Sequence, residues 1–250
     1  MILTIAAREL RGLFLSPLAW TLLATVQLIL AWLFLVLVED FLNLQSQLLG
    51  LEGAPGVADL VVAPLLKVAA WMGLLVTPLL SMRLISEERR TRTFSLLLSA
   101  PVSMPEIVLG KYVGLLTCLL LLVAMIALMP LTLLVGSDLD IGKLLAGLLG
   151  LVLLLGSFAA AGLYISTLSD QPVVAAIATF GFLLLLWVID LAGGNREALS
   201  GIFAYLSLLH HYDALLMGLF NSADVIYYLL FIAAFLGLAS RRLDNQRLRH

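Results

Sequence analysis

Residues 18–38 read LAWTLLATVQLILAWLFLVLV, a stretch of 21 residues without a charged side chain. A helix needs about 20 apolar residues to cross the hydrocarbon core of a bilayer. Barrel strands would instead alternate polar and apolar residues over about ten positions. Five further uncharged runs follow along the chain: Val68–Met82, Tyr112–Ser137, Leu144–Ser169, Pro172–Ile189 and Val225–Ser240. The sequence therefore predicts an all-α membrane protein with six transmembrane helices.

The composition of the whole chain agrees with this fold class. Of 250 residues, 62% are hydrophobic and 12% are charged, and the mean hydropathy is +1.12. A soluble domain carries about a quarter charged residues. We therefore predict one transmembrane domain over residues 1–250. The lone cysteine, Cys118, excludes a disulfide framework and a thiolate metal site, and we expect no metal in this chain.

The distribution of basic residues predicts the orientation. Six spans put both termini on one side of the membrane, and eleven of the 14 lysines and arginines fall on that side. The other three are Lys67, Lys143 and Arg196. Because basic residues concentrate in cytoplasmic loops, both termini are expected in the cytoplasm.

Four segments outside the spans have distinct patterns. Residues 1–16 have an apolar helical face and predict an interfacial helix before Pro17. Residues 39–60 are expected to form an outer loop, beginning at Glu39-Asp40. Residues 193–221 are too polar to span and too apolar for a solvated loop, which predicts an outer re-entrant or interfacial segment before helix six. Residues 86–111 form the long cytoplasmic loop between helices two and three.

This cytoplasmic loop is where function is expected. It opens with a charged stretch, EERRTR at residues 87–92, and continues into an apolar segment that breaks at Pro101 and again at Pro105. Phe94, Leu97 and Leu98 share one face of a helix, so the segment suits a groove on another protein. A membrane protein that receives force from a cytosolic partner needs such a projecting element.

The stretch 86–111 resembles the first cytoplasmic loop of type 2 ABC exporter permeases. The matching elements are Glu87-Glu88-Arg89, the segment from Thr93 to Leu98, Pro101-Val102, and Ile107-Val108-Leu109-Gly110-Lys111. Arg92 stands where many relatives have glycine, which puts the local turn in doubt. The resemblance covers the whole chain. Its closest likeness is to the gliding-motility (GldF-like) permeases, on the stretches 208–213 and 224–228.

The resemblance implies a function in the bacterial inner membrane. A cytosolic ATP-binding subunit would hold ATP and magnesium, and the loop would be the coupling helix seated on that subunit. A second permease, identical or different, would complete the transporter, and one candidate is a membrane protein with a large extracytoplasmic domain. The residues implied to fill the groove are Thr93, Phe94, Leu97, Leu98 and Pro101, and those implied to form ion pairs at its rim are Glu87, Glu88, Arg89 and Arg92.

The chain itself is not expected to be an enzyme. A phosphate-binding loop needs Gly-x4-Gly-Lys-Ser/Thr, so that backbone amides cradle the phosphates and the hydroxyl holds magnesium. The nearest sequence is Gly110-Lys111, which is followed by Tyr112 and has no first glycine. ATP hydrolysis is therefore expected in the partner subunit.

Two charged residues lie at the edges of predicted spans. Lys67 and Asp190 are candidates for a translocation path, since charge within a membrane is costly and often functional. Lys67 could instead pair with an acidic residue or reach water. His210, His211 and Asp213 lack the spacing of a known metal motif.

Two other functions remain open from the sequence. Glu87-Glu88-x-x-x-Arg92 matches the EExxxR motif of CAAX-type intramembrane proteases, although the histidines those enzymes need are predicted on the opposite side. A non-transporting mechanotransducer or membrane anchor driven by ATP cycles would carry the same cytoplasmic loop. A transporter would show a continuous pathway, whereas a transducer would be sealed.

Overall fold

The computed structural model describes residues 1–48, 55–91, 103–136, 139–193 and 207–247. Every regular element in these ranges is helical, which confirms the all-α prediction. The helices are α1 Ile2–Leu15, α2 Pro17–Leu48, α3 Ala63–Ser81, α4 Ser86–Arg90, α5 Met104–Leu131, α6 Ile141–Ser166, α7 Pro172–Gly193, α8 Leu208–Leu216 and α9 Ser222–Arg247. A π-helical turn, Ala58–Val62, leads into α3, and a 3-10 turn, Thr132–Val135, follows α5.

Five of the described stretches are long and apolar enough to cross a membrane: Pro17–Gln45, Ala58–Arg90, Met104–Leu134, Ile141–Ser166 and Ser222–Arg247. These confirm a multi-pass membrane protein. The sixth predicted run forms α7, whose apolar stretch Pro172–Val188 is shorter than the other five.

The first predicted transmembrane helix, α2, extends further than the positions of its charged residues predict. We expected the outer loop to begin at Glu39, but α2 continues to Leu48. Glu39 and Asp40 are exposed on the surface of this helix. The prediction of the loop start was wrong because no glycine or proline interrupts residues 39–48. Two carboxylates that reach water do not end a helix.

The predicted loop at residues 86–111 is shorter than expected, because residues 104–111 are the first two turns of α5. Ser103 and Glu106 form a capping box at its start: the Ser103 side chain accepts a hydrogen bond from the backbone N–H of Glu106, and the Glu106 carboxylate accepts one from the backbone N–H of Ser103 at 3.1 Å. Pro105 was predicted as a break, but it is the second residue of α5. Proline is tolerated there because the first amides of a helix have no intrahelical acceptor.

The helix α6 lies at the centre of the bundle. In its most apolar window 67% of the residues are buried, against 17% in α2 and in α9. Glycines allow this close packing: a Cβ on Gly162 would lie 2.2 Å from Ser81 Oγ, and one on Gly150 would lie 3.0 Å from the ring of Tyr212. The small residues of α6 therefore bring α3, α5, α8 and α9 against one helix.

Candidate functional site

The short helix α4 begins where the predicted coupling loop begins, and a serine of α6 holds its first turn. Ser166 Oγ accepts hydrogen bonds from the backbone N–H of Ile85 at 3.2 Å and of Ser86 at 3.1 Å. It donates to the carbonyl oxygen of Met82 at 3.2 Å. The first amides of a helix need such acceptors when they are buried. The start of α4 is thus fastened to the C-terminal end of α6.

Lys111 occupies the centre of this end of the molecule. It is 1% exposed, and its ammonium donates hydrogen bonds to carboxylates of Glu9, in α1, and Glu88, in α4. The distance from Nζ to Glu88 Oε1 is 2.8 Å. A buried charge is tolerated only when it is paired and hydrogen-bonded. One lysine therefore joins three segments that are distant in the sequence.

Two glycines place α1 directly on α5. A Cβ on Gly110 would lie 2.7 Å from Ile5 Cβ, and one on Gly114 would lie 2.8 Å from Glu9 Cβ and 3.0 Å from the carbonyl oxygen of Ala6. Any side chain at these positions would push the helices apart. The apolar face of the N-terminal helix is consequently packed on protein, with Ala6 and Leu13 buried.

Arg89 links α4 to two further elements. Its Nη1 lies 3.2 Å from Asp170 Oδ1, in the turn between α6 and α7, and its Nη2 donates to Gln246 Oε1 near the end of α9. The Arg89 side chain is 13% exposed. The last helix and the α6–α7 turn therefore contact the same five-residue helix.

A cavity of about 300 Å³ opens beside this cluster. Its walls come from α1, the start of α2, the end of α3 and α4, and both charged and leucine side chains line it. Arg83 reaches across it, with Nη1 3.1 Å from Ser16 Oγ and Nε 3.8 Å from Glu87 Oε2. The cavity therefore borders the three charged side chains Glu9, Glu88 and Lys111.

The structure brings together some of the predicted coupling residues. Glu88 and Arg89 have partners within the bundle, and their predicted place at the rim of a partner's groove stays a prediction. Glu87 is 44% exposed beside Arg83. The other six predicted positions, Arg92, Thr93, Phe94, Leu97, Leu98 and Pro101, lie outside the described residues.

Sequence reasoning missed Glu9, Ser166 and Asp170 as parts of this site. The sequence pattern pointed to Lys111 only as the last residue of the motif at residues 107–111. A lysine in the second turn of a long apolar helix was the available signal, since its charge requires acidic partners. The carboxylates that pair with this lysine are determined by how the helices pack. A single sequence does not reveal that packing.

The opposite end of the bundle carries a second set of polar contacts. Lys67 Nζ lies 3.0 Å from Asp213 Oδ1, with the two side chains 52% and 36% exposed. His211 Nδ1 lies 2.6 Å from Asp224 Oδ1, and both side chains are buried. Lys143 pairs with Asp59 at 2.9 Å. The side chain of Asp190, in α7, lies outside the described part of the chain.

Two tyrosines hold α8 inside this second set. Tyr212 donates a hydrogen bond of 2.9 Å to the carbonyl oxygen of Leu66, and Tyr228 donates one of 2.5 Å to that of Leu208. Burial, with a smaller contribution from the charge of Asp213, raises the pKa of Tyr212 well above its ordinary value. Within the predicted outer segment 193–221, α8 is therefore a helix packed into the bundle, and residues 194–206 lie outside the described part of the chain.

Among the described residues, the glutamates and histidines that an intramembrane protease would need do not come together. Glu87 and Glu88 lie at the end where α1, α4 and the start of α5 meet. His211 lies at the other end, against the first turn of α9. A catalytic site needs its acid, base and water within hydrogen-bond reach. Glu88, the second glutamate of the EExxxR match, is thus part of a packing cluster.

Comparison with known proteins agrees with the topology of the chain. A search of curated proteins found no match. The family model described as ABC-2 family transporter protein matches residues 3–248, which is nearly the whole chain. The chain therefore belongs to the ABC-2 transporter family, as the membrane-spanning subunit of an ABC transporter.

Proposed function

We propose that this chain is the permease half of an exporter, in which residues 86–103 receive the movement of a cytosolic ATP-binding subunit and pass it to the membrane helices. The observation that carries the proposal is the position of α4. Through Ser166, Lys111, Arg89 and their partners, this helix contacts α1, α5, α6, the α6–α7 turn and α9. A force applied at α4 would therefore reach most of the bundle directly.

The segment that would meet the partner lies between two described points. Thr91 and Ser103 flank the eleven residues 92–102, and both are at the end of the bundle that holds α4. These residues include Thr93, Phe94, Leu97, Leu98 and Pro101, which would fill the groove, and Arg92, which would lie at its rim. Rim charges set the orientation of docking more than its strength.

The proposed topology has six spans with both termini in the cytoplasm. The 22 residues of α7 give a length of about 33 Å, enough for the hydrocarbon core. The elements on either side of it support a crossing. Asp170, two residues before α7, pairs with Arg89 of α4, and α8, the next described helix along the chain, pairs with α3 at the opposite end. The eleven basic residues on the side of the termini favour the cytoplasm for that side.

The proposed assembly has two permeases and two ATP-binding subunits, because one chain supplies one coupling segment. The second permease would be a second copy or a different chain, including one with a large extracytoplasmic domain. Long exposed apolar faces on α2 and α9 support contact with another membrane protein or lipid, since 17% of their apolar windows are buried within this chain. Magnesium and ATP would bind in the cytosolic subunits.

For Lys67 the geometry supports a structural role more than a place on a substrate path. Its ammonium pairs with both carboxylate oxygens of Asp213, at 3.0 and 3.2 Å. The pair joins α3 to α8. Asp190 stays a proposal for the pathway, on its position near the end of α7.

The proposal is tested by purifying a tagged form of this chain from the membranes of its native host. The amount of ATP-binding subunit that accompanies it and the vanadate-sensitive ATPase activity are both measured. The variant L97D places a charge in the proposed apolar contact and should lose both, while it still inserts into the membrane. The control L97M keeps the apolar surface and should retain both. Unchanged association in L97D would exclude this loop as the docking element.

A further inference from the structure

The ammonium of Lys111 faces two carboxylates from segments 102 and 23 positions away in the chain. We propose that Lys111 is a positioning residue that fixes α1 and α4 to α5, so that the three helices move as one body during the ATP cycle. The ATP-driven movement itself rests on the proposed function. The contact of Lys111 with Glu9 and Glu88, which we call the joint, does not rest on that function, because it is a property of the permease alone.

The chemistry of lysine suits a joint between two carboxylates. An ammonium group is a compact charge with three donors, which can bond acceptors in different directions. The side chain of Lys111 is 2% exposed, and those of Glu9 and Glu88 are each 21% exposed. Neither carboxylate can swing into water without leaving the buried cation under-compensated. The arrangement therefore favours one geometry for all three segments.

Backbone packing reinforces one side of this joint. Gly110 and Gly114 let α1 approach α5 so closely that a Cβ at either position would lie within 3.0 Å of an atom of α1. The contact between α1 and α5 consequently has both packing and charge. Glu88 adds α4 to this pair through Lys111.

The path from α4 leads on to the first span. Leu15 ends α1, and Pro17 begins α2 after a single intervening residue, so the two helices share a short connection. Ser16, in that connection, accepts a hydrogen bond from Arg83 in the turn before α4. A displacement of α4 that carries α1 with it would therefore tilt α2 together with α5. The single buried lysine would set how much of the movement reaches the first span.

The test measures a distance between α1 and α4 within one chain. Spin labels are attached to cysteines that replace Arg8 and Arg90, which are both exposed, in a chain whose Cys118 is changed to alanine. Pulsed electron resonance gives the distance distribution in the purified transporter, without nucleotide and after trapping with ATP and orthovanadate. If the joint holds α1 and α4 together, the distance between the two spin labels has one narrow distribution, and trapping leaves it unchanged.

The variants K111Q and E88Q should both free α4 from its contact with α1 and α5. Their distributions should broaden without nucleotide, and their mean should shift on trapping, while K111R restores the narrow distribution. E88Q keeps Lys111 paired with Glu9, so it tests the joint even if K111Q folds poorly. The matched control K143Q removes a half-exposed lysine at the opposite end and should leave the distribution as in the wild type.

Narrow and unchanged distributions in both K111Q and E88Q would overturn the proposal, as would a wild-type distance that changes on trapping. A wild-type preparation without an ATP-binding subunit would contradict the proposed function. In that case the nucleotide-free comparison would still decide whether Lys111 is the joint, since broadening in E88Q needs no partner.

Discussion

Lys111 and Lys67 show how differently one residue type is used at the two ends of the bundle. Lys111 has lost almost all contact with water and has two carboxylate partners. Lys67 is 52% exposed and has one partner, Asp213. Because breaking a buried ion pair leaves an uncompensated charge, its cost is far larger than that of an exposed pair.

We therefore expect K111M to destabilise the protein by about 3 kcal/mol and K67M by about 0.5 kcal/mol. The substitution is the same in both, so the difference isolates burial. Unfolding by sodium dodecyl sulfate in mixed micelles, followed by circular dichroism, measures both values. Equal losses would mean that Lys111 is hydrated in solution.

Tyr212 makes the stability of the end of the bundle that holds α8 depend on alkaline pH. Since its pKa in the folded protein is raised above the unfolded value of about 10, folding favours the protonated phenol. This stabilisation is fully present below about pH 10 and is lost as the pH rises further. The variant Y212F loses the bond to Leu66, worth about 1 kcal/mol, and should show a weaker fall in stability between about pH 9 and pH 11. A Y212F curve parallel to that of the wild type would contradict this role.

At the residue scale, the sequence predicts which charges are unusual better than it predicts their partners. Lys67 stands out as a charge beside a span, and an acidic partner is one of its expected roles. Its identity as Asp213 depends on α8 folding back against α3. Glu9 and Lys111 are linked only because two glycines bring α1 against α5.

At the scale of elements, run length predicts the helices well and their ends poorly. Apolar runs identify α2, α5, α6 and α9, since each must be long enough for a bilayer. The end of α2 and the start of α5 differ from expectation for opposite reasons. Exposed Glu39 and Asp40 do not stop a helix, and Pro105 lies in the first turn of one.

The docking of α1 on α5 gives a prediction at this scale. G114A should weaken the α1–α5 contact by about 1–3 kcal/mol, because the added Cβ overlaps Glu9 and Ala6. Hydrogen exchange of the α1 amides should rise in this variant. The control G12A adds a methyl group on α1 where no atom lies within 4 Å, and it should leave the exchange unchanged or slower. Equal exchange in G114A and the wild type would show that α1 is held by other contacts.

At the scale of the whole molecule, two polar layers are separated by apolar helices. One layer joins α4 to α1, α5, α6 and α9, and the other joins α8 to α3 and α9. The sequence predicts the membrane class and the two-sided distribution of charge from composition and run length. The contacts within each layer arise from tertiary packing, and they cannot be predicted from a single sequence.

From the positions of the two layers we predict that the connection before α7 and the connection after α8 face opposite sides of the membrane. Single cysteines at Gln171 and Asn221, in the C118A background, flank α7 and α8 and are exposed. A membrane-impermeant maleimide applied to intact cells should label N221C and should label Q171C only after the membrane is opened. A cysteine at Arg8 marks the side of the termini. Labelling of Q171C and N221C from the same side would contradict a crossing by α7.

The structure of the assembled transporter, determined by electron cryomicroscopy after purification through this chain, tests the central claim most directly. The account predicts that residues 92–102 are seated in a groove of the ATP-binding subunit, while Lys111 holds α4 against α1 and α5 directly above it. A segment that instead lies along the lipid headgroups, with the ATP-binding subunit bound elsewhere on the chain, would contradict the account.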